Sequence, residues 1–211
     1  MFKKDQDTEY LLGSKIPTSL PTQPFDGLTC KFLEIFSKKI GLLKNIKKYP
    51  DLKTLSFWCR KGNINNLKKK NLSEETRMGL GMIFHITPSN IPTNFAYSLI
   101  FGLLMGNSNI IKVPSKKFEE VNIICSVIKS TLKNKKFKKI KDRILIVRYK
   151  NNDKFTDEFS SICDARIIWG GDTTINSIKI PIKLDVFQIL YFPSIITNLK
   201  LVNQVLFLCT A

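Results

Sequence analysis

The fold is decided by the stretch Ile86-Thr87-Pro88-Ser89-Asn90-Ile91-Pro92, a loop bounded by prolines. The apolar residues 79–85 before it predict a short buried strand, and residues 93–105 after it predict an apolar helix. Gly106-Asn107 indicates a turn, and residues 109–113 predict a second strand. A strand, a helix and a strand in this order form a parallel unit with a right-handed crossover.

After residue 113, helical and strand-like patterns alternate. In chain order they predict a helix at 118–132, a strand at 143–149, a short helix ending at 162, a strand at 165–169 and a helix that starts at Asp172. Ser115 is the predicted N-cap of the first helix, and Asn152 or Asp153 that of the second. This succession predicts an α/β fold with a Rossmann-like, mostly parallel sheet and helices on both faces.

The pattern divides the chain into three parts. Residues 1–77 combine an extended arm, over 1–27, with a helical region; residues 78–183 form an α/β domain; and residues 184–211 form an apolar tail without landmarks. Helices are predicted at 28–43, from Pro50, and at 63–70. We expect one or two folded domains, because 211 residues with 43% hydrophobic content can bury a sizeable core.

Neither the N-terminal residues nor the longest apolar stretch indicates insertion into a membrane. The first residues, Met1-Phe2-Lys3-Lys4-Asp5, lead into no apolar core of the kind that secretory signals carry. The longest apolar stretch, residues 95–105, is too short to span a bilayer. We therefore expect a cytoplasmic protein without a membrane span.

The formal net charge of +17 raises the question of nucleic acid. Lysines cluster at 68–70 and 133–141, but aromatic residues are not interleaved with them as in a single-strand-binding surface. The chain is rich in Lys, Asn and Ile together, which a base-composition bias of the genome would also produce. We expect no specific nucleic-acid partner, although a basic nucleic-acid-binding protein remains an alternative function.

Metal-ligand spacing is absent, because no two cysteines form a Cys-x-x-Cys pair and His85 is the sole histidine. No metal is expected. The lone His85 inside an apolar strand is predicted to be structural. The cysteines are predicted to be free, buried thiols; they are Cys30, Cys59, Cys125, Cys163 and Cys209.

Candidate site residues follow the predicted strands, where ligands of open parallel sheets bind. Asn90, Lys112 and Ser115 come just after two strands. The run Gly170-Gly171-Asp172 lies between a strand and a helix, where backbone amides can approach a pyrophosphate. Each has a plainer alternative: an Asx turn at Asn90, a solvated lysine cluster around Lys112, and an ordinary tight turn at the glycines.

Together these segments resemble the aldehyde dehydrogenase superfamily, and within it the acyl-CoA reductases of the LuxC type known from bacterial bioluminescence. Two further runs carry the resemblance: Leu55-Ser56-Phe57-Trp58-Cys59-Arg60-Lys61-Gly62-Asn63-Ile64 and Arg166-Ile167-Ile168-Trp169-Gly170-Gly171-Asp172-Thr173-Thr174-Ile175. The resemblance covers residues 49–183 and fades beyond them. It implies an NAD(P)-binding domain and the NADPH-dependent reduction of a long-chain acyl-CoA or acyl-protein thioester to a fatty aldehyde.

The resemblance also implies roles for the candidate residues. Asn90 would donate its amide to the developing oxyanion, Lys112 and Ser115 would hold the adenosine ribose, and Gly170-Gly171-Asp172 would shape the turn beside the pyrophosphate or nicotinamide. The superfamily's Lys-Pro-x-Glu segment is replaced here by Lys112-Val113-Pro114-Ser115, which lacks the acidic residue. A site that loses this acid tolerates a 2′-phosphate, so the expected cofactor is NADP(H).

The superfamily's chemistry needs a cysteine nucleophile, and none is recognisable here. Cys209 lies in a tail that does not resemble the family's nucleophile segment, and Cys163 is predicted to be core. We therefore expect a cofactor-binding fragment whose catalytic domain is missing, through a frameshift or premature stop, or is a separate domain or subunit. The alternatives are a non-enzymatic module that binds a nucleotide or a partner, and an acylating aldehyde dehydrogenase for short acyl-CoA.

Overall fold

The computed structural model describes residues 8–17, 19–71, 77–150, 153–170 and 187–191. Its elements, in chain order, are β1 Glu9–Leu12, α1 Gly27–Gly41, α2 Pro50–Trp58, α3 Lys61–Asn71, β2 Met82–Ile86, α4 Asn94–Leu104, β3 Ser108–Lys112, α5 Glu119–Leu132, α6 Lys138–Lys141, β4 Ile144–Arg148, α7 Asp153–Ile162, β5 Ala165–Trp169 and β6 Phe187–Tyr191. Short 3₁₀ turns lie at Ile46–Lys48 and Lys135–Phe137.

The strands form one sheet in the order β1-β4-β3-β2-β5-β6. Strand β1 runs antiparallel to β4, and the other neighbouring pairs are parallel. The predicted mostly parallel α/β sheet is therefore confirmed.

The β2–α4–β3 unit is the crossover predicted from the proline-bounded loop. Strands β2 and β3 pair in register from Met82 opposite Ser108 to Ile86 opposite Lys112. Helix α4 between them is buried on nearly all sides. This burial explains its almost wholly apolar sequence, because a helix covered on both sides has no solvated face to carry polar residues.

Helices cover both faces of the sheet, as predicted. On one face α4 packs on β2 and β3, α5 contacts β1, and α1 lies over α4 and α5. Helices α2 and α3 pack on α1 in turn. On the opposite face α7 lies against β2, where Phe155 and Phe159 join Phe84, Leu145 and Tyr149 in a second apolar cluster.

Two strands were missed by the sequence patterns. The predicted extended arm contains β1, which pairs with β4 through an irregularity between Tyr10 and Leu12. The predicted tail without landmarks contains β6, which pairs with β5. Short strands give weak periodic signals, and the partner of β1 is far away in the sequence, so local pattern did not reveal it.

The N-caps of helices α1 and α5 can be identified, and one of them corrects a prediction. Asp26 caps α1, since its Oδ1 accepts from the backbone N–H groups of Leu28 and Thr29, both at 3.0 Å. The predicted N-cap of α5 at Ser115 is wrong: Phe118, with extended backbone, holds that position. Glu119 and Glu120 in the first turn of α5 supply negative charge near the positive end of the helix dipole instead.

The part of the chain that the structure describes has no helix with both the length and the apolar composition needed to cross a bilayer.

Candidate functional site

The carboxyl ends of the parallel strands are level with one another. Ile86 of β2 pairs with Lys112 of β3 and with Ile168 of β5, and Lys112 pairs with Val147 of β4. The segments that follow these residues therefore leave the sheet along one edge, which we call the carboxyl edge. Asn90, Lys112, Ser115 and Gly170 belong to this edge because each ends or follows one of these strands.

Both the backbone and the side chain of Lys112 make contacts that fix their positions. Its carbonyl oxygen accepts from the backbone N–H of Thr87 at 3.3 Å and from the Thr87 hydroxyl at 2.7 Å. Its Nζ lies over the ring of Tyr149, 5.0 Å from the ring centroid. The two hydrogen bonds from Thr87 join the loop after β2 to the end of β3. The contact with Tyr149 places the ammonium on the α7 face of the sheet.

Tyr149 is a rigid support for that ammonium. The residue is 1% exposed, and its hydroxyl lies 3.0 Å from the hydroxyl of Thr156 in α7. Its ring also packs near Phe155 and Phe159, at centroid distances of 5.8 and 6.3 Å. Burial raises the pKa of Tyr149, so the phenol stays neutral at physiological pH.

Ser115 lies in an exposed loop with two exposed lysines, Lys116 and Lys117. The buried Arg148 fixes the start of this loop, since its Nε donates to the carbonyl oxygen of Pro114 at 3.2 Å. No carboxylate occurs between Lys112 and Phe118. The segment thus offers a hydroxyl and several cations, a set of groups that can bind an anion.

Asn90 is exposed in the loop between β2 and α4. Its side chain has no hydrogen-bond partner among the described residues, so no Asx turn to them is formed. The loop is held instead by Thr87 on β3 and by the Asn94 backbone N–H, which donates to the carbonyl oxygen of Ile91 at 3.3 Å. The role of Asn90 as an oxyanion donor stays a prediction.

Gly170 is buried directly after β5. The preceding Trp169 anchors this position, since its Nε1–H donates to the hydroxyl of Ser98 in α4 at 2.9 Å. The other predicted residues of this turn, Gly171 and Asp172, and the helix predicted to start there, lie outside the described residues.

The anchor belongs to a buried polar network around His85, which is 0% exposed. His85 Nδ1 lies 2.7 Å from Ser98 Oγ, and Nε2 lies 2.9 Å from Asn109 Oδ1. Since Asn109 Nδ2 donates to the carbonyl oxygen of Asn107, its Oδ1 must accept, and His85 therefore carries its proton on Nε2. The Ser98 hydroxyl then donates to Nδ1.

Burial holds His85 neutral by lowering its pKa from 6.5 to about 4, against the opposing effect of the Asn109 hydrogen bond. The prediction of a structural histidine is confirmed. Its partners were missed, although Ser98 within an apolar helix and Asn109 within an apolar strand gave a signal: polar residues in buried elements need hydrogen-bond partners.

The described cysteines are poor nucleophiles. Cys59, Cys125 and Cys163 are buried, and burial raises the pKa of Cys125 to about 12 and that of Cys163 to about 11. Cys30 is half-buried, and burial raises its pKa as well. All four stay protonated near neutral pH. Cys209 lies outside the described residues.

A separate cavity of about 470 Å³ lies near the amino ends of the strands, away from the carboxyl edge. Two of its charged groups already interact: Arg143 lies 3.7 Å from Asp26 Oδ2, and it also donates to Thr22 Oγ1 at 2.6 Å. No candidate residue lines it. Among the described residues there is also no group of three side chains able to hold a metal ion.

Comparison with known proteins agrees with this architecture. The family model for acyl-CoA reductases (LuxC) matches residues 33–195, so the likeness begins before residue 49 and does not fade at residue 183. No curated protein matches the sequence.

Solved structures share the fold at low sequence identity. Proline utilization A from Bradyrhizobium japonicum matches with a TM-score of 0.59 and 16% identity over 79% of this chain and 20% of its own. Betaine aldehyde dehydrogenase from Staphylococcus aureus, solved with NAD⁺, matches with a TM-score of 0.57 and 14% identity over 77% of this chain and 36% of its own.

A third structure is 3,6-anhydro-L-galactose dehydrogenase in complex with NAP. It matches with a TM-score of 0.51 and 13% identity over 78% of this chain and 40% of its own. The chain thus spans 20% to 40% of the length of these three proteins.

Proposed function

Because the chain belongs to the LuxC family of acyl-CoA reductases, we propose that it is the nucleotide-binding part of an NADPH-dependent enzyme. The proposed reaction reduces a long-chain acyl-CoA, or an acyl-protein thioester, to a fatty aldehyde with release of the thiol. Family membership supports the thioester substrate, and the carboxyl edge of the sheet supports the nucleotide.

The observation that carries the nucleotide assignment is the cationic end of β3. Lys112 presents an ammonium over Tyr149, and Ser115, Lys116 and Lys117 follow it without a carboxylate. An acidic side chain here would accept from the ribose hydroxyls and repel a 2′-phosphate, whereas this segment attracts one. We therefore assign Lys112 and Ser115 to the adenosine ribose, and NADP(H) as the cofactor.

Bound NADPH would supply the reducing equivalents of the reaction. The residues of this chain would bind the cofactor and position the substrate beside it. Gly170, with Gly171 and Asp172, would form the turn beside the pyrophosphate or nicotinamide. Asn90 would donate its side-chain N–H to the thioester oxygen as negative charge develops there, which is a large term in such reactions.

We propose that the nucleophile is not one of the four described cysteines, because their thiols are buried or half-buried and burial raises their pKa. We propose that a further domain or subunit supplies it, in keeping with the share of the neighbouring proteins that this chain spans.

The test is a titration of the purified chain with NADPH and with NADH, followed by nucleotide fluorescence and thermal stability. We expect saturable binding with a preference for NADPH. Lys112→Ala should weaken NADPH binding by roughly tenfold, the size of one lost charge-assisted contact. Lys139→Ala is the matched control, since this exposed lysine lies at the cavity near the opposite edge.

Two results would contradict the proposal in different ways. Absence of binding by a folded chain would remove the nucleotide site altogether. Equal affinity for NADH and NADPH, with Lys112→Ala weakening both alike, would leave a nucleotide site but remove the assignment of NADP(H).

A further inference from the structure

We propose that Tyr149 is a positioning residue that orients Lys112 toward the phosphorylated ribose. This inference rests on the proposed nucleotide site. The sequence patterns gave Tyr149 no role beyond the end of a strand. The geometry gives it one, because Lys112 is the candidate binding residue whose charged group lies over this ring.

The two side chains meet for a reason built into the sheet. Lys112 pairs with Val147, and Tyr149 lies two positions after Val147. Side chains two positions apart point to the same face of a strand, so Tyr149 continues the α7 face that Val147 occupies. Lys112 reaches that face too, as Ile110 does two positions earlier.

The ring is fixed far better than a lysine side chain could be on its own. Burial, the Thr156 hydroxyl at 3.0 Å and the rings of Phe155 and Phe159 hold Tyr149 in one orientation. A lysine has several rotatable bonds and loses considerable entropy when a ligand immobilises it. Attraction between the ammonium and the negative face of the ring restricts Lys112 before the ligand arrives, and this pre-organisation favours binding.

This arrangement also links α7 to the proposed nucleotide site. Thr156 holds Tyr149, Tyr149 supports Lys112, and Lys112 accepts through its carbonyl from Thr87 in the loop that carries Asn90. Helix α7 thus contributes to the site through the ring, without lying in the loops themselves.

The test changes the electrostatics of the ring and keeps its shape. Two full-length proteins are compared: Tyr149→Phe, and the same position carrying 3,4,5-trifluorophenylalanine, whose fluorines remove the negative potential of the ring face. Both retain an aromatic ring of nearly the same size, so both should fold. Each is also prepared with Lys112→Ala, which completes a double-mutant cycle. The probe is NADPH, with 2′,5′-ADP as a fragment that lacks the nicotinamide.

We expect Tyr149→Phe to bind both probes within about twofold of the wild-type chain, because the ring face is kept. The trifluorinated ring should weaken binding by roughly threefold to thirtyfold relative to Tyr149→Phe, the range of cation–π energies. In the Lys112→Ala background the same change should have almost no effect. Thermal stability, measured in parallel, should differ little between the two rings.

The outcomes separate this inference from the function on which it rests. If the wild-type chain binds neither probe, the proposed function fails and the role of Tyr149 fails with it. If the wild-type chain binds and Lys112→Ala weakens binding, but the two rings bind alike, only the role of Tyr149 is overturned. That role is overturned as well if fluorination weakens binding equally with and without Lys112.

Discussion

Arg148 and Glu9 lie 139 positions apart in the sequence, and their side chains form an ion pair of 2.6 Å. Arg148 ends β4 and is only 5% exposed, whereas the Glu9 side chain in β1 is half-exposed. The same guanidinium donates to the carbonyl oxygen of Pro114 at 3.2 Å. One buried cation therefore joins the edge strand, the strand beside it and the loop that leads to Ser115.

Glu9→Gln should lower the free energy of unfolding by about 1–2 kcal/mol. The loss is smaller than for a fully buried pair, because Glu9 is partly screened by water, but it leaves a buried guanidinium with a weaker partner. Urea denaturation measures it. Combining Glu9→Gln with Arg148→Met should cost less than the sum of the single changes, and simple additivity would contradict this coupling.

Gly102→Ala should destabilise the fold by about 2–3 kcal/mol, the upper range for overpacking a core. A methyl group at Gly102 would overlap Asn109 Oδ1 and approach His85 Nε2. Gly62→Ala in α3 is the control, because a methyl group there meets no atom within 4 Å. That control should be neutral or slightly stabilising. Equal midpoints of urea denaturation for the two variants would contradict the prediction.

The stability of the fold should fall as the pH is lowered from 6.5 toward 4. His85 is neutral in the folded chain with a pKa of about 4, while an unfolded histidine titrates near 6.5. Below pH 6.5 the unfolded state therefore binds a proton that the folded state does not bind. The contribution of His85 to the free energy of unfolding is complete above pH 6.5 and is lost progressively toward pH 4. Between about pH 7.5 and pH 5 the free energy of unfolding should drop by about 2 kcal/mol.

His85→Gln isolates this effect, since His85 is the sole histidine of the chain. The variant should be less stable at neutral pH, because its side chain cannot reproduce both hydrogen bonds of the imidazole. Its free energy of unfolding should be nearly flat between about pH 7.5 and pH 5. A slope as steep as that of the wild-type chain would assign the pH dependence to other groups.

Elements dictated by local pattern were predicted well. Strand β5 was predicted at 165–169, and the structure has Ala165–Trp169. Helix α4 was predicted at 93–105, against Asn94–Leu104. In both cases the apolar run is bounded by polar, proline or glycine residues. The fold class followed because successive strands and helices leave few topologies open.

Features that depend on remote contacts were not predicted. Strand β1 exists because Glu9–Leu12 meets β4, and nothing in those residues alone names that partner. The contact of Lys112 with Tyr149 depends on the register of β3 against β4. Ser115 fits an N-cap by composition, but the chain leaves β3 in an extended loop that delays the helix until Glu119. In each case the outcome depends on the surrounding structure and not on the residue type alone.

The position of β1 also has a consequence for the order of synthesis. Its residues are made well before those of β4, yet they cannot pair in the sheet until the chain has been made through Arg148. The β2–α4–β3 crossover, by contrast, uses neighbours that emerge together. During translation, therefore, β1 pairs with the β4 edge of the sheet only after the later strand β4 has emerged. Closing so long a loop is slow compared with local pairing.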